Sequence, residues 1–389
     1  MPNASHPPRA STTVDTNRPA VNPSRANVRA GQEAKSWIAK GKRLFDSGRI
    51  REALSLFEQA VAAQEFDAEA WYGKANCLHA LGRNAAAVRC YDRSLEINPS
   101  DPLVWNDKGI ELAGLGRTDA ALRCFDRALA IDPGNAGAWF NKATCLRALQ
   151  RFLDAAICYE QLIRLAPGDP QGWLQFGICL YRLGRYVEAA SANQKALETD
   201  PRCVEAWLNL GVSRYALEEF TPSLAAFEAA LRLAPADARA WFNRGTSLHR
   251  LGRYTDAIKS YDRALLIAPR QGRTWLNKGA SLQCRGKYEE AVRCYDRALH
   301  LDPRAALAWR NRGHCLFQLQ RMEEAIRSYE RVLGINPQDS WVKVMKHAVE
   351  NQARSRPSYE SSLPRFGKAV GPPDLPLPRA RLGSGRGNA

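Results

Sequence analysis

Nine of the ten tryptophans recur at a constant interval of 34 residues, which restricts the chain to a repeat architecture. They are Trp37, Trp71, Trp105, Trp139, Trp173, Trp207, Trp241, Trp275 and Trp309. With Trp37 taken as position 4 of a unit, nine units run from residue 34 to residue 339 without insertion or deletion. Such a period is typical of proteins in which one small supersecondary unit stacks on the next.

Each unit has the pattern of two short helices separated by a break. Apolar or small residues occupy positions 4, 8 and 11 of most units, and then positions 17, 20, 21, 24, 27 and 28, so that each set lies on one helix face. Position 15, between the two sets, is often a glycine that can end a helix: Gly82, Gly116, Gly184, Gly252 and Gly286. Proline at position 32 of most units ends the second helix. One such hairpin cannot bury its own apolar face, and we therefore expect neighbouring hairpins to pack on each other.

The same positions resemble the tetratricopeptide repeat (TPR), with tryptophan at 4, glycine or alanine at 8, leucine at 11, alanine at 20 and 27, an aromatic residue at 24 and proline at 32. The resemblance implies an all-α fold, a right-handed superhelical solenoid of nine helix-turn-helix repeats. It also implies that first helices line a concave groove and that second helices form the convex back. Members of this family are protein-interaction scaffolds rather than enzymes, which predicts a non-enzymatic scaffold or adaptor.

The repeats divide the chain into a regular array and two tails. The nine units are 34–67, 68–101, 102–135, 136–169, 170–203, 204–237, 238–271, 272–305 and 306–339, followed by an amphipathic capping helix predicted at 340–352. Residues 1–33, rich in Pro, Ser and Thr, and residues 353–389, basic and rich in Pro and Gly, are predicted to be disordered. Asn193 replaces the aromatic residue of repeat five and Glu218 replaces the glycine of repeat six, which leaves a hinge at that junction as an open hypothesis.

Composition excludes several classes of protein. The chain is 45% hydrophobic and carries a net charge of +16, which is too apolar for a wholly disordered protein. It has no apolar run long enough to span a bilayer, and no signal-peptide core near its start, and these features predict a cytoplasmic protein without a membrane segment. There is no CxxC, HExxH, GxSxG or glycine-rich phosphate loop, so we predict neither a cofactor nor a metal site, and no catalysis.

A row of asparagines marks the groove. By resemblance to the family, positions 2, 5, 6, 9, 12 and 13 face the concave side, and position 6 is Asn141, Asn209, Asn243, Asn277 and Asn311. An amide can donate to and accept from the backbone of an extended peptide. The row resembles the peptide-holding asparagine ladder in the repeat region of O-linked N-acetylglucosamine transferase. The alternative is that asparagine is simply common at this position of the family.

Charge divides the same groove. Repeats seven to nine carry basic residues and no acid at these positions: Arg239, Arg250, Arg273, Arg310, His249 and His314. Acids enter from repeats one, two, three and six as Asp46, Glu69, Asp107 and Glu205, and Phe242 offers an apolar contact near the basic residues. Charge-assisted hydrogen bonds contribute more than amide pairs, and the predicted partner is therefore an extended, acidic peptide held by repeats seven to nine. Arg239 and Arg273 at position 2 resemble part of the carboxylate clamp of chaperone-binding members, but position 6 of the same helices is asparagine, which makes chaperone C-terminal tails doubtful partners.

A basic ladder on the other face supplies the alternative function. Position 16 is basic in eight units: Arg49, Arg83, Arg117, Arg151, Arg185, Arg253, Lys287 and Arg321. Such a ladder, together with the arginines of the C-terminal tail, could bind the phosphates of RNA. An acid at position 25 in eight units instead favours ordinary surface pairing. The sequence leaves self-association and the identity of the partner open.

Overall fold

A computed structural model describes residues 25–354, and these form 19 helices and no strand. The chain divides into two compact units, Met1–Asn141 and Lys142–Ala389. The helices are α1 Arg25–Asp46, α2 Ile50–Ala63, α3 Ala68–Ala80, α4 Asn84–Ile97, α5 Pro102–Gly114, α6 Thr118–Ile131, α7 Ala136–Ala148, α8 Phe152–Leu165, α9 Pro170–Arg182, α10 Tyr186–Thr199, α11 Val204–Ala216, α12 Phe220–Leu233, α13 Ala238–Arg250, α14 Tyr254–Ile267, α15 Gly272–Cys284, α16 Tyr288–Leu301, α17 Ala306–Gln318, α18 Met322–Ile335 and α19 Ser340–Arg354. Within each unit, consecutive helices pack against each other.

The predicted pairing of a first and a second helix in each repeat is confirmed. In six repeats the residue at position 15 is a glycine with a positive φ between 70° and 77°, the left-handed conformation that ends the first helix. Three repeats lack this glycine, and there Gln150, Glu218 and Gln320 adopt the same conformation, with φ of 60–61°. The turn therefore keeps its geometry even where its residue is disfavoured.

The tryptophan period and the proline period have one structural cause. In repeats three to nine the indole Nε1 donates to the carbonyl oxygen of the proline at position 32 of the preceding repeat, as from Trp241 to Pro235 at 2.9 Å and from Trp275 to Pro269 at 3.1 Å. In repeat two, Trp71 makes the equivalent bond to Glu65, which replaces the proline. Each bond joins one repeat to the next at the point where the chain leaves its second helix.

Position 8 and position 24 are also coupled by packing. A Cβ added to Gly245 would lie 2.7 Å from Cε1 of Tyr261, and one added to Gly211 would lie 2.6 Å from Cε1 of Phe227. The aromatic ring of the second helix thus lies directly on the backbone of the first. The ring of Tyr261 is completely buried by this contact. Close packing of the two helices is what requires a small residue at position 8.

The ends of the array differ from the prediction in detail. Helix α1 begins at Arg25, so the predicted N-terminal tail is wrong for residues 25–33, which are helical; the segment contains no proline and continues the helix of repeat one. The capping helix is observed as α19, with Val342 and Val349 fully buried against repeat nine. The rest of the two predicted tails lies outside the described residues.

The junction of repeats five and six has its own contacts. The amide of Asn193 donates to Ala189 O at 2.7 Å and takes the place of the aromatic ring on Gly177. Ser223, which replaces alanine in α12, donates to Gly211 O at 2.8 Å and lies 3.0 Å from the hydroxyl of Ser247. These polar substitutions are therefore mostly bonded, and the hinge stays a hypothesis.

Candidate functional site

First helices of successive repeats contact each other directly in the second unit, in the order α9, α11, α13, α15 and α17. They form one continuous face of that unit, which we call the groove face. Repeats seven to nine supply α13, α15 and α17. The residues predicted to bind a peptide lie on these three helices, apart from Asn209 on α11 and Asn141.

Arg239, at the start of α13, is held by two carboxylates. Its guanidinium lies 2.7 Å from Glu205 and 2.7 Å from Asp237, the residue that caps α13. Burial by itself would raise the pKa of Asp237. Its bonds to Arg239 and to backbone amides outweigh this effect, and the pKa of Asp237 is lowered. The positive charge of Arg239 is therefore already compensated within the chain.

Arg273 and Arg310 differ from Arg239 in this respect. Arg273 lies exposed at the start of α15 and has no ion-pair partner among residues 25–354. Arg310 is half-buried on α17, where its guanidinium lies 5.5 Å from the ring centre of Trp341 on the capping helix. Neither charge is matched by an acid in the described part of the chain.

The asparagine row is more buried than a peptide ladder requires. Asn243 and Asn311 are 7% and 6% exposed, and Asn277 is completely buried, whereas Asn209 is half-buried on α11. Asn141 belongs to the first unit, where its Nδ2 donates to Asn106 Oδ1 at 3.0 Å. The five asparagines therefore do not present five equivalent amides to one surface.

A structural role explains the buried asparagines. The amide of Asn277 faces the hydroxyl of Tyr261, the aromatic residue of the preceding repeat, and Asn311 faces Tyr295 in the same way. Both amides lower the pKa of the hydroxyl that they face, although burial raises it more. No hydrogen bond of ordinary geometry reaches either polar atom of Asn277. Asn243 follows Phe227, which has no hydroxyl, and its Oδ1 is also unpartnered.

His249 is not one of the groove cations. It is 2% exposed, and its Nδ1 lies 2.8 Å from the hydroxyl of Ser281. Burial lowers its pKa to about 4, and the nearby charge of Arg250 adds to the effect. The expectation of a basic His249 is therefore wrong, because the imidazole is neutral at pH 7. Burial also lowers the pKa of His314.

Phe242 lies half-buried on α13, with its ring centre 6.0 Å from that of Tyr261. At the end of the same helix, Arg250 lies over the ring of Phe220 at 4.3 Å and within 3.4 Å of Glu218. The groove face of repeats seven to nine thus combines apolar rings with cations. Two of these cations, Arg273 and Arg310, are without an acid in the described residues.

A second polar cluster occurs in the first unit, on α3 and α5. The hydroxyl of Tyr72 donates to Asp107 Oδ2 at 2.8 Å, and Asn106 donates to the other oxygen at 3.1 Å. Glu111, one turn further along α5, is paired with His79 through Oε1. Glu111 was not among the residues predicted for a site, although most other repeats have cysteine or serine at its position, 10, and the acid at this position is a signal visible in the sequence.

The basic ladder of position 16 is largely paired. Arg49, Arg151, Arg185, Arg253, Lys287 and Arg321 each bond an acid three residues later, namely Glu52, Asp154, Glu188, Asp256, Glu290 and Glu324. These pairs lie at the start of second helices, where the acid also complements the helix dipole. Arg83 and Arg117 have alanine at that place instead. The described part of this surface therefore carries less unmatched positive charge than its composition suggests.

The cysteines and other candidate ligands offer no site. All ten cysteines are free, and the eight at positions 10 and 23 are buried, where burial raises the pKa of thiols such as Cys77, to about 11. Between residues 25 and 354, no three His, Cys, Asp or Glu side chains are grouped so as to hold a metal ion. None of the described helices is both long enough and apolar enough to cross a membrane.

Comparison with known proteins agrees with this geometry. The family model described as tetratricopeptide repeat matches residues 38–102, 106–170, 146–202, 174–221, 208–272 and 276–340. The chain belongs to the tetratricopeptide repeat family. No curated protein matches the sequence significantly.

Solved TPR structures are similar in fold at low sequence identity. The C-terminal part of a TPR repeat-containing protein from Cytophaga hutchinsonii is 18% identical, with a TM-score of 0.54 over 61% of this chain and 97% of that one. A tetratricopeptide repeat protein from Parabacteroides merdae is 15% identical, with a TM-score of 0.50 over 64% of this chain and 99% of that one. YrrB, described as a TPR protein with an unusual peptide-binding site, is 21% identical, with a TM-score of 0.43 over 46% of this chain and 92% of that one.

The TPR assignment confirms the all-helical fold predicted from the repeats. It also makes the chain a protein–protein interaction scaffold in its general class. What such a scaffold binds depends on the side chains of its faces rather than on the fold.

Proposed function

We propose that this TPR protein is a non-enzymatic adaptor that binds an extended, acidic segment of another protein on the groove face of repeats seven to nine. The observation that carries the proposal is the unmatched charge of Arg273 and Arg310 on adjacent first helices. Cations elsewhere in the second unit commonly have an acid of the same chain beside them, as Arg253 has Asp256. A carboxylate from a partner would supply the missing counter-charge at Arg273.

The ten residues predicted for the site have unequal roles in this proposal. Arg273 and Arg310 bind acidic side chains, and Phe242 provides an apolar contact beside them. Arg239 contributes less, because a partner must compete with Glu205 for its guanidinium. Asn209 is exposed enough to contact the backbone of a bound peptide. The buried side chains pack beneath the groove face instead: Asn243, Asn277, Asn311 and His249. Asn141, in the other unit, is not required.

Magnitudes support charge over amide contacts as the main source of affinity. A neutral hydrogen bond contributes about 1 kcal/mol, which barely offsets ordering one peptide residue at about 1–2 kcal/mol. A charge-assisted bond to arginine contributes about 1.5–3 kcal/mol. Loss of such a bond corresponds to a roughly 10- to 150-fold weaker affinity.

Fluorescence anisotropy with the full-length chain tests the proposal. The probes are labelled dodecapeptides with glutamate at alternate positions of a Gly/Ser sequence, and the same peptides with glutamine. We expect the glutamate peptide to bind and the glutamine peptide not to bind. Arg273→Ala combined with Arg310→Ala should weaken binding of the glutamate peptide at least 10-fold. The matched control is Arg253→Ala combined with Lys287→Ala, which removes the same charge from second helices.

Two outcomes would overturn the assignment. Equal weakening by the groove variant and by the control would show that the peptide responds to overall charge. Tighter binding of a labelled single-stranded RNA, unaffected by the groove variant and falling steeply with salt, would favour the RNA function.

A further inference from the structure

Two neighbouring carboxylates on α5 of the first unit have no lysine or arginine partner among the described residues. Asp107 and Glu111 lie one turn apart on the same helix, a spacing at which like charges destabilise a helix. Within residues 25–354, no arginine or lysine forms an ion pair with Asp107 or Glu111, and their one basic neighbour is His79. Burial raises the pKa of both carboxyl groups, as expected for acids that have lost water without gaining a full counter-charge.

One carboxylate oxygen of Glu111 has no hydrogen-bond partner. Glu111 is 2% exposed; its Oε1 meets His79 of α3, and its Oε2 has no hydrogen bond. The carboxylate therefore points from α5 toward α3, at the edge where His79 is half exposed. A buried carboxylate oxygen without a donor costs stability, and a donor from a bound protein segment would remove that cost.

The surroundings define the chemistry of that donor. Asp107 already accepts bonds from Tyr72 and Asn106, and these hold its carboxylate in place. Leu103 and Ile110 of the same helix are 57% and 38% exposed, which adds apolar surface beside the acids. An ammonium or guanidinium group on an aliphatic stem fits both features, because the stem covers the apolar surface while the head meets the carboxylates.

We propose that Asp107 and Glu111 form a second binding site, which receives a lysine or arginine side chain of a protein segment. This site is separate from the acidic-peptide site proposed for repeats seven to nine and has the opposite charge preference. The TPR protein would thus bind basic residues through its first unit and acidic residues through its second.

Peptide binding to the full-length chain tests this inference. The probes are labelled dodecapeptides with arginine or lysine at alternate positions among serine and leucine, measured at about 150 mM salt, where long-range attraction is largely screened. We expect both basic peptides to bind the wild type, and Asp107→Asn combined with Glu111→Gln to weaken them at least 10-fold. The charge-matched control, Glu52→Gln combined with Glu96→Gln on α2 and α4, should leave binding within twofold.

A stability measurement separates a site from a structural role. Both substitutions are isosteric, and we expect the double amide variant to unfold at the same or a higher temperature than the wild type at pH 7. Failure of the wild type to bind either basic peptide, or equal binding by the double amide variant, would overturn the inference. So would a lower unfolding temperature of that variant, because the carboxylates would then be structural. Arg273→Ala should not change binding of the basic peptides, which keeps this test independent of the acidic-peptide proposal.

Discussion

Replacing Gln150 by glycine should stabilise the hairpin of α7 and α8. Gln150 occupies position 15 with φ of 60°, a conformation that six other repeats fill with glycine. The side chain of Gln150 is exposed at the turn. The substitution therefore removes a backbone conflict without removing a buried contact.

The magnitude follows from two opposing terms. A non-glycine residue in the left-handed region costs about 1–2 kcal/mol. Glycine gives back about 0.4–1 kcal/mol of this, because it increases the entropy of the unfolded chain. We therefore expect a net gain of about 0.5–1 kcal/mol for Gln150→Gly.

Amide hydrogen exchange of the full-length chain is the appropriate assay, because long repeat arrays do not unfold in a single two-state step. Amides of α7 and α8 should exchange roughly 2- to 5-fold more slowly in Gln150→Gly. Gln150→Ala is the matched control, since alanine keeps the conflict. Exchange that is no slower in the glycine variant than in the alanine variant would refute the reasoning.

Three further predictions follow from packing and charge. Gly279→Ala should destabilise the hairpin of α15 and α16 by about 1–3 kcal/mol, since its Cβ would lie 2.7 Å from Tyr295, and native-state hydrogen exchange of these two helices measures the loss. Val342→Ala should lower the protection of amides in repeat nine, seen by hydrogen exchange, because it loosens the cap. Burial lowers the pKa of His249 to about 4, so between about pH 6.5 and pH 4 the unfolded chain binds a proton at His249 that the folded chain does not. The unfolding temperature should therefore fall as the pH decreases through this range, and it should fall less steeply in His249→Gln.

The repeat period predicted the fold because each recurring position makes one particular contact in most repeats. Tryptophan at 4 and proline at 32 proved to be the two ends of one hydrogen bond, and the glycine at 8 proved to be the surface on which the aromatic residue packs. The first contact joins neighbouring repeats and the second joins the two helices of one repeat, so the period fixes the sequence distance between both pairs of partners. The start of α1 could not be predicted in the same way, since a helix can extend beyond its repeat wherever nothing stops it.

The candidate site was predicted less completely, because residue type does not reveal burial or pairing. Arg239 and Arg273 share position 2, yet Glu205 and Asp237 neutralise the first and leave the second unmatched. Asn277 shares position 6 with Asn209, yet Asn277 is completely buried and Asn209 is half-buried. Glu205 lies a full repeat before Arg239, and burial at position 6 differs between repeats that carry the same residue, so neither difference is visible from residue type alone.

Crosslinking tests the central proposal most directly. A glutamate-rich dodecapeptide with a photoreactive benzoylphenylalanine, moved through the sequence one position at a time, would be irradiated with the full-length chain and the adducts mapped by mass spectrometry. We predict adducts on α13, α15 and α17, including residues near Arg273 and Arg310, and their loss in the Arg273→Ala, Arg310→Ala variant. Adducts confined to second helices or to the first unit, and retained in that variant, would contradict a peptide-binding groove in repeats seven to nine.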